Sequence, residues 1–254
     1  MLAFVHIPKT AGTTARQLLQ QRFGEQRLAL VYDRPPGRPL TEITELPSEA
    51  WSRYQAVMGH FAFGIHHFIP QPVRYVTFLR DPVERVVSLY YHNVHRPSRC
   101  HERIHTEGID LTQFVRARIS CQVENSMTQF LAGIEHVAGR DRAVFSNGCP
   151  ERLLEVAKRN LVEWFDLVGF VERPEESLAL LATTLGLHSG AVEGLNVNRQ
   201  RPAMDQIPAH ALQEIRAANR LDAELYRFAR ERFEAQWQRL NGHLECHLGC
   251  PPAH

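Results

Sequence analysis

Leu2-Ala3-Phe4-Val5-His6-Ile7-Pro8-Lys9-Thr10-Ala11-Gly12-Thr13-Thr14-Ala15-Arg16-Gln17-Leu18-Leu19 is the stretch that decides the fold. Residues 2–7 read as an apolar strand, 8–14 as a turn holding Pro and Gly, and 13–22 as an amphipathic helix. The first N–H groups of such a helix have no intrahelical partner and lie at the positive end of its dipole, so the turn is an anion cradle. Lys9 adds a full charge to it. Lys9 and Lys158 are the only lysines beside 27 arginines, and a lysine kept at this turn points to a site that wants a compact, mobile ammonium. In a Walker A loop the lysine follows the last glycine, whereas Lys9 precedes Gly12 by three positions. An ATPase or GTPase is therefore disfavoured, and a cradle for a phosphate or sulfate ester is left.

A second strand-to-helix junction lies downstream. Residues 73–79 read as a buried strand that runs directly into Arg80-Asp81-Pro82-Val83-Glu84-Arg85-Val86-Val87-Ser88-Leu89. Asp81 fits an N-cap, Pro82 the first helical position, and Glu84 the carboxylate of a capping box. Arg80 then ends a strand, and Ser88 lies about two turns into the helix. Ligands of open α/β sheets bind beyond the carboxyl ends of the strands, where both Lys9 and Arg80 fall. Two such anion sites suit a ligand with two separated anionic groups. Arg85 is expected on the helix surface.

Working outward, strands are expected at 2–7, 27–32, 54–59, 73–79 and 165–170. Helices are expected at 13–22, 82–95, 110–118, 124–132, 150–162, 174–185 and 208–238, the last broken near Asn219. This alternation predicts an α/β fold with a mainly parallel sheet and helices on both faces, the C-terminal helices buttressing one side. A chain of 254 residues with 44% hydrophobic residues can bury one sizeable core, so we expect a single domain over 1–240 and a C-terminal tail over 241–254. A net charge of +1 argues against wholesale nucleic-acid binding. No apolar run is long enough to span a bilayer, and the sequence reaches its first strand within two residues, so the expectation is a cytoplasmic, bacterial protein. Five cysteines, Cys100, Cys121, Cys149, Cys246 and Cys250, form no regular framework. Cys246 and Cys250 with His247 make a weak zinc pattern without a second pair, and no metal site is expected.

The two junctions carry a resemblance. His6 to Thr14 is similar to the 5′-phosphosulfate loop of sulfotransferases that use 3′-phosphoadenosine 5′-phosphosulfate (PAPS), and Leu79 to Ser88 resembles their 3′-phosphate motif. The uronosyl (heparan sulfate) 2-O-sulfotransferases are the type most resembled. The likeness continues through Asn160 to Gly169, Glu172, the stretch 175–185 and Asp222 to Ala229, and so spans most of residues 2–235. It implies a P-loop-like three-layer sandwich with PAPS as co-substrate, PAP as product and no metal requirement. It also implies roles. Lys9 would contact the phosphosulfate and stabilise the leaving phosphate, while Thr10, Ala11, Gly12, Thr13 and Thr14 would offer backbone and hydroxyl donors. Arg80 and Ser88 would hold the 3′-phosphate. Because that group is remote from the reaction, it can supply binding energy that positions the sulfuryl group.

An acceptor hydroxyl must lose a proton as it attacks sulfur. Gly59-His60, at the end of a strand, resembles the Gly-His that carries the catalytic histidine of the 2-O type, and an imidazole suits proton removal near neutral pH. Some members have a further histidine where this chain has Met58. His66 and His67 are read as a loop that could border the acceptor, His92 and His95 as surface residues, and His6 as a packed, hydrogen-bonded one. Asn198 and Arg199 correspond in order to a segment that folds over the nucleotide. Arg96, Arg99, His101, Arg103, His105, Arg116 and Arg118 could make a basic rim for a carboxylated or sulfated sugar. The expected reaction is sulfuryl transfer to a hydroxyl, or failing that an amine, of a glycan or glycolipid; a small metabolite or a tyrosine side chain are further acceptors. The alternatives are a P-loop-type phosphotransferase and a non-catalytic nucleotide- or glycan-binding relative.

Overall fold

The computed structural model describes residues 1–32, 47–133, 150–187 and 202–248. Five strands, β1 (Leu2–Val5), β2 (Leu28–Val31), β3 (Ala56–Gly59), β4 (Arg74–Leu79) and β5 (Phe165–Phe170), form one sheet in the order β2-β3-β1-β4-β5. Every pairing is parallel. The helices are α1 (Gly12–Phe23), α2 (Ser48–Trp51), α3 (Pro82–His95), α4 (Arg99–Glu107), α5 (Leu111–Arg116), α6 (Ser126–Ala132), α7 (Pro150–Glu163), α8 (Pro174–Thr184), α9 (Ala209–Ala218) and α10 (Arg220–Leu248). The expected α/β architecture is thus the observed one. Asn198 and Arg199 lie outside the described residues, as do Cys149, Cys250 and the end of the expected tail beyond 248.

Strand order explains where a ligand can sit. The chain leaves β1 towards β2 on one side of the sheet and reaches β4 on the other, so the connections part beyond the carboxyl ends of β1 and β4. α1 packs on β2 and β3 and α7 on β5, while α3, α4 and α5 build a second core with α9. Buried on both faces, the strands read as near-continuous apolar runs, with Ala3, Phe4, Val5, Val57, Met58, Val76, Phe78 and Leu79 all inaccessible or nearly so.

Helix α4 was not expected. Ile104 is its one buried residue and Cys100, one turn earlier, the only other apolar side chain beside it, so its apolar stripe is too thin to stand out in the sequence. Only its caps announce it: Ser98 accepts from the His101 N–H, and Gly108 takes the left-handed conformation at the other end. The break at Asn219 is real and has a purpose. The Asn125 side chain accepts from the N–H groups of Leu221 (3.0 Å) and Asp222 (3.3 Å) at the start of α10. Asp222 in turn accepts from Met127 N–H (3.0 Å), Thr128 N–H (2.7 Å) and the Thr128 hydroxyl (2.7 Å) at the start of α6. Asn219 closes the exchange, accepting from Asn125 N–H (3.0 Å) and donating to Val123 O (2.9 Å). Two helix starts, nearly a hundred residues apart in sequence, cap one another.

Candidate active site

Lys9 and Ala11 both adopt left-handed backbone, with φ of 74° and 60°. Such turns gather N–H groups into a concavity that suits an anion, at the same point where α1 begins. Among the described residues no side chain caps α1, whose N-cap is Ala11. These N–H groups are thus open to solvent or to an anion. The buried Thr10 hydroxyl donates to Ile7 O at 2.7 Å and so braces the turn.

Arg80 joins the two sequence motifs. Its Nη1 donates to the Lys9 carbonyl at 3.4 Å and its Nη2 pairs with Glu84 at 3.1 Å, so the guanidinium lies between the turn and α3. Asp81 caps α3 as expected, accepting from Val83 N–H (2.9 Å) and Glu84 N–H (3.0 Å), with Pro82 in the first turn. Glu84 is not the expected capping-box carboxylate; it is the partner of Arg80. The capping of Asp81 is supported from afar by Glu172, which accepts the Asp81 N–H (2.8 Å) and the Tyr226 hydroxyl (2.8 Å). Ser88, 4% exposed, lies two turns along the same helix.

Arg85 overturns its surface assignment. It is fully buried and donates from Nη2 to Gln122 O at 2.8 Å, while its charge faces the buried Asp222. Burial pushes the Asp222 carboxyl above the usual range, opposed by Arg85 and by the hydrogen bonds from Thr128 and Met127. Surface logic failed here because both partners come from distant elements.

His60 ends β3 at the same edge. A Cβ on Gly59 would lie 1.7 Å from Val31 O, so only glycine lets β2 and β3 close up there. The next N–H, of His60, donates to that carbonyl at 2.9 Å. The His60 ring packs 4.8 Å from His6 and 5.0 Å from Tyr32, centroid to centroid. His6 is packed and hydrogen-bonded as expected, its Nδ1 lying 3.2 Å from the Tyr32 hydroxyl. Burial, then His60 and Lys9, press its pKa down to about 3.

A further histidine belongs to this neighbourhood. His92, four positions beyond Ser88, is half-buried where a surface histidine was expected, and burial, Lys9, Arg96 and His60 lower its pKa to about 4. Its helical phase with Ser88 was the available signal. Lys9 itself is lowered to about 8 by burial, Arg80 and Arg96. His66 and His67 lie elsewhere. His66 stacks on Trp164 (4.4 Å, 17° between planes) and bonds the Tyr75 hydroxyl at 2.8 Å, beside the amino-terminal ends of β4 and β5.

The basic rim is largely spent on its own surroundings. Arg103 pairs with Glu107 (2.9 Å), Arg116 with Glu214 (2.6 Å) and Arg118 with Glu124 (2.8 Å). The rings of His101 and His105 each lie 3.0 Å from Val94 O. Arg96 is the member of the series that faces Lys9.

The profile of the sulfotransferase family matches residues 1–229. Similar proteins include galactose-3-O-sulfotransferase 3 of Bos taurus, 26% identical over 89% of this chain and 55% of its own length. Heparan-sulfate 6-O-sulfotransferase 2 of Danio rerio is 27% identical over 94% of this chain and 59% of its own. Heparan-sulfate 6-O-sulfotransferase 1 of Homo sapiens is 24% identical over 94% and 66%. The chain thus spans between half and two thirds of the length of these relatives. Their names point to carbohydrate sulfotransferases in general, without singling out the uronosyl 2-O type, and they come from animals, which lends nothing to a bacterial, cytoplasmic assignment.

Proposed function

Because the chain belongs to the sulfotransferase family, we propose that it transfers the sulfuryl group of PAPS to a hydroxyl on a carbohydrate. The observation that carries the reading is the bond from Arg80 to the Lys9 carbonyl, which brings a guanidinium beside the turn that holds the ammonium and leads into α1. Two linked cation sites match the two anionic ends of a 3′,5′-substituted nucleotide. The relatives are named for galactose and heparan-sulfate acceptors, which supports a sugar hydroxyl as the nucleophile.

Each residue then has a task. Arg80 and Ser88 hold the 3′-phosphate, and the N–H groups of residues 11–14 cradle the phosphosulfate. His60 removes the proton of the acceptor hydroxyl as its oxygen bonds to sulfur. The bond between sulfur and the phosphate oxygen breaks, and Lys9 stabilises the charge left on that oxygen. The proton stays on His60 until solvent takes it. No step calls for a metal ion.

Calorimetric titration with PAP, ATP and ADP tests the reading. We expect micromolar PAP binding that Lys9→Ala and Arg80→Ala each weaken by about tenfold or more, as for lost charge-assisted bonds. His60→Ala should retain PAP binding and lose formation of PAP from PAPS. Tighter binding of ATP with magnesium than of PAP would replace the proposal with a phosphotransferase.

A further inference from the structure

Three adjacent strands end in a row of rings. In the sheet order β2-β3-β1 the carboxyl ends lead to Tyr32, His60 and His6. The backbone locks the row, since His6 N–H donates to Gly59 O and His60 N–H to Val31 O, both at 2.9 Å. The three rings form a closed triangle, with centroids 4.8 Å (His6–His60), 5.0 Å (Tyr32–His60) and 5.5 Å (His6–Tyr32) apart. His6 has a second neighbour of consequence. A Cβ on Gly12 would lie 2.1 Å from His6 Nε2, so the first residue of α1 rests directly on the imidazole. One edge of the His6 ring therefore meets the start of α1, the ring packs at a tilt against His60, and Nδ1 is tethered to the Tyr32 hydroxyl.

We infer that His6 is a positioning residue for sulfuryl transfer: its ring, tethered by Tyr32, is the spacer that sets the distance between the base His60 and the phosphosulfate cradle at Gly12. The inference rests on the reaction proposed above. In-line attack demands that the acceptor oxygen, between His60 and sulfur, be held within a fraction of an ångström, and a ring wedged between base and cradle supplies that constraint. Neutrality is the second requirement. When His60 takes the acceptor proton it becomes an imidazolium, and a charged neighbour at this distance would oppose it. His6 is kept neutral by burial together with the charges that face it: His60 from β3 and Lys9 from the turn. Tyr32, raised to about 12 by burial against the pull of Arg16 on α1, keeps its phenolic proton, so the tether stays uncharged. His92 and Arg96 reach the same cluster from α3 through Lys9 and His60. His6 itself takes no proton from the acceptor; the proton passes to His60 alone.

Two variants and two readouts test this. Tyr32→Phe removes the tether and keeps every ring, whereas His6→Asn removes the spacer and keeps a polar atom near Nδ1. Nitrogen-detected NMR titration of the histidine rings reports the His60 midpoint with or without PAP and needs no acceptor. PAPS turnover, followed as PAP release with desulfated heparan sulfate as the acceptor probe, gives kcat, KM and a pH profile. We expect both variants to displace the His60 midpoint and the acidic limb of the kcat profile. His6→Asn should lower kcat by about tenfold to a hundredfold, with KM for PAPS changed less than about threefold. Wild-type His60 titration and an unaltered pH profile in a folded Tyr32→Phe would overturn the inference, whatever His6→Asn does. Failure of the parent reading looks different: the wild-type protein would neither bind PAP nor release it from PAPS, while the NMR coupling of His6 to His60 would still be measured.

Discussion

Lys9 shows how one residue answers to several neighbours. Its pKa of about 8 comes first from burial and then from Arg80 and Arg96, all of which disfavour the ammonium. A dianionic ligand in the cradle favours it, so the lysine's pKa must rise when PAP binds. Binding near pH 8 should therefore take up protons and binding near pH 6 should not, which calorimetry in buffers of different ionisation enthalpy will read directly. Absence of uptake at the higher pH would mean that Lys9 does not face the bound anion. The depressed histidines make an opposite kind of statement, about stability. His6 (about 3) and His92 (about 4) stay neutral in the fold while the unfolded chain protonates near 6.5. Stability is thus fully present above the unfolded value and is lost as pH falls towards the folded values. Thermal unfolding at pH 7 and at about pH 5 should show this, and His6→Gln should flatten the dependence. Neither shift was readable from sequence, because burial and neighbouring charge are properties of the assembled edge.

Elements carry the site through their ends. α1 begins where a glycine is needed for space: the Cβ of Gly12→Ala would meet the His6 ring, so the cradle must shift or the ring must leave. PAP affinity should fall by about tenfold or more in Gly12→Ala with the fold retained, and wild-type affinity would show that the ring yields without disturbing the cradle. α3 begins on Asp81, whose carboxylate serves two N–H groups and whose own N–H is held by Glu172. Asp81→Ala should lower stability by about 1 kcal/mol. Because Arg80 immediately precedes that cap, PAP affinity should fall as well, and calorimetry on the folded variant separates the two effects. The Asp81-Pro82 start was legible in sequence because capping is local. The role of Glu84 was not, since its partner Arg80 is oriented by the Lys9 carbonyl, 71 residues away.

Across the whole molecule, a mainly sheet-centred core and a helical one meet at Arg85. The first is built on β1, β3, β4 and β5, and the second on α3, α4, α5 and α9, with Val86, Val87, Phe114 and Ile215 inside. Arg85 lies on α3 between them, bonded to Gln122 O and facing Asp222, whose other bonds start α6. Arg85→Ala should destabilise the protein by about 3–5 kcal/mol, because it leaves Asp222 buried without its counter-charge. Chemical denaturation measures this, and a loss below about 1 kcal/mol would mean that the hydrogen bonds from Thr128 and Met127 alone satisfy Asp222. Unlike α2 and α4, the succession of strands, the longer helices, the parallel sheet and the place of Lys9, Arg80 and Gly59-His60 at strand ends were legible in the sequence on its own. They depend on apolar periodicity, capping chemistry and turn residues within a few positions of one another. Only the tertiary structure decided that Arg85 is core, that the basic rim pairs with nearby carboxylates, and that the rings of His6 and Tyr32 pack on His60. Those facts depend on which strands lie side by side, and spatial adjacency across a parallel sheet leaves no trace in the local spacing of residues.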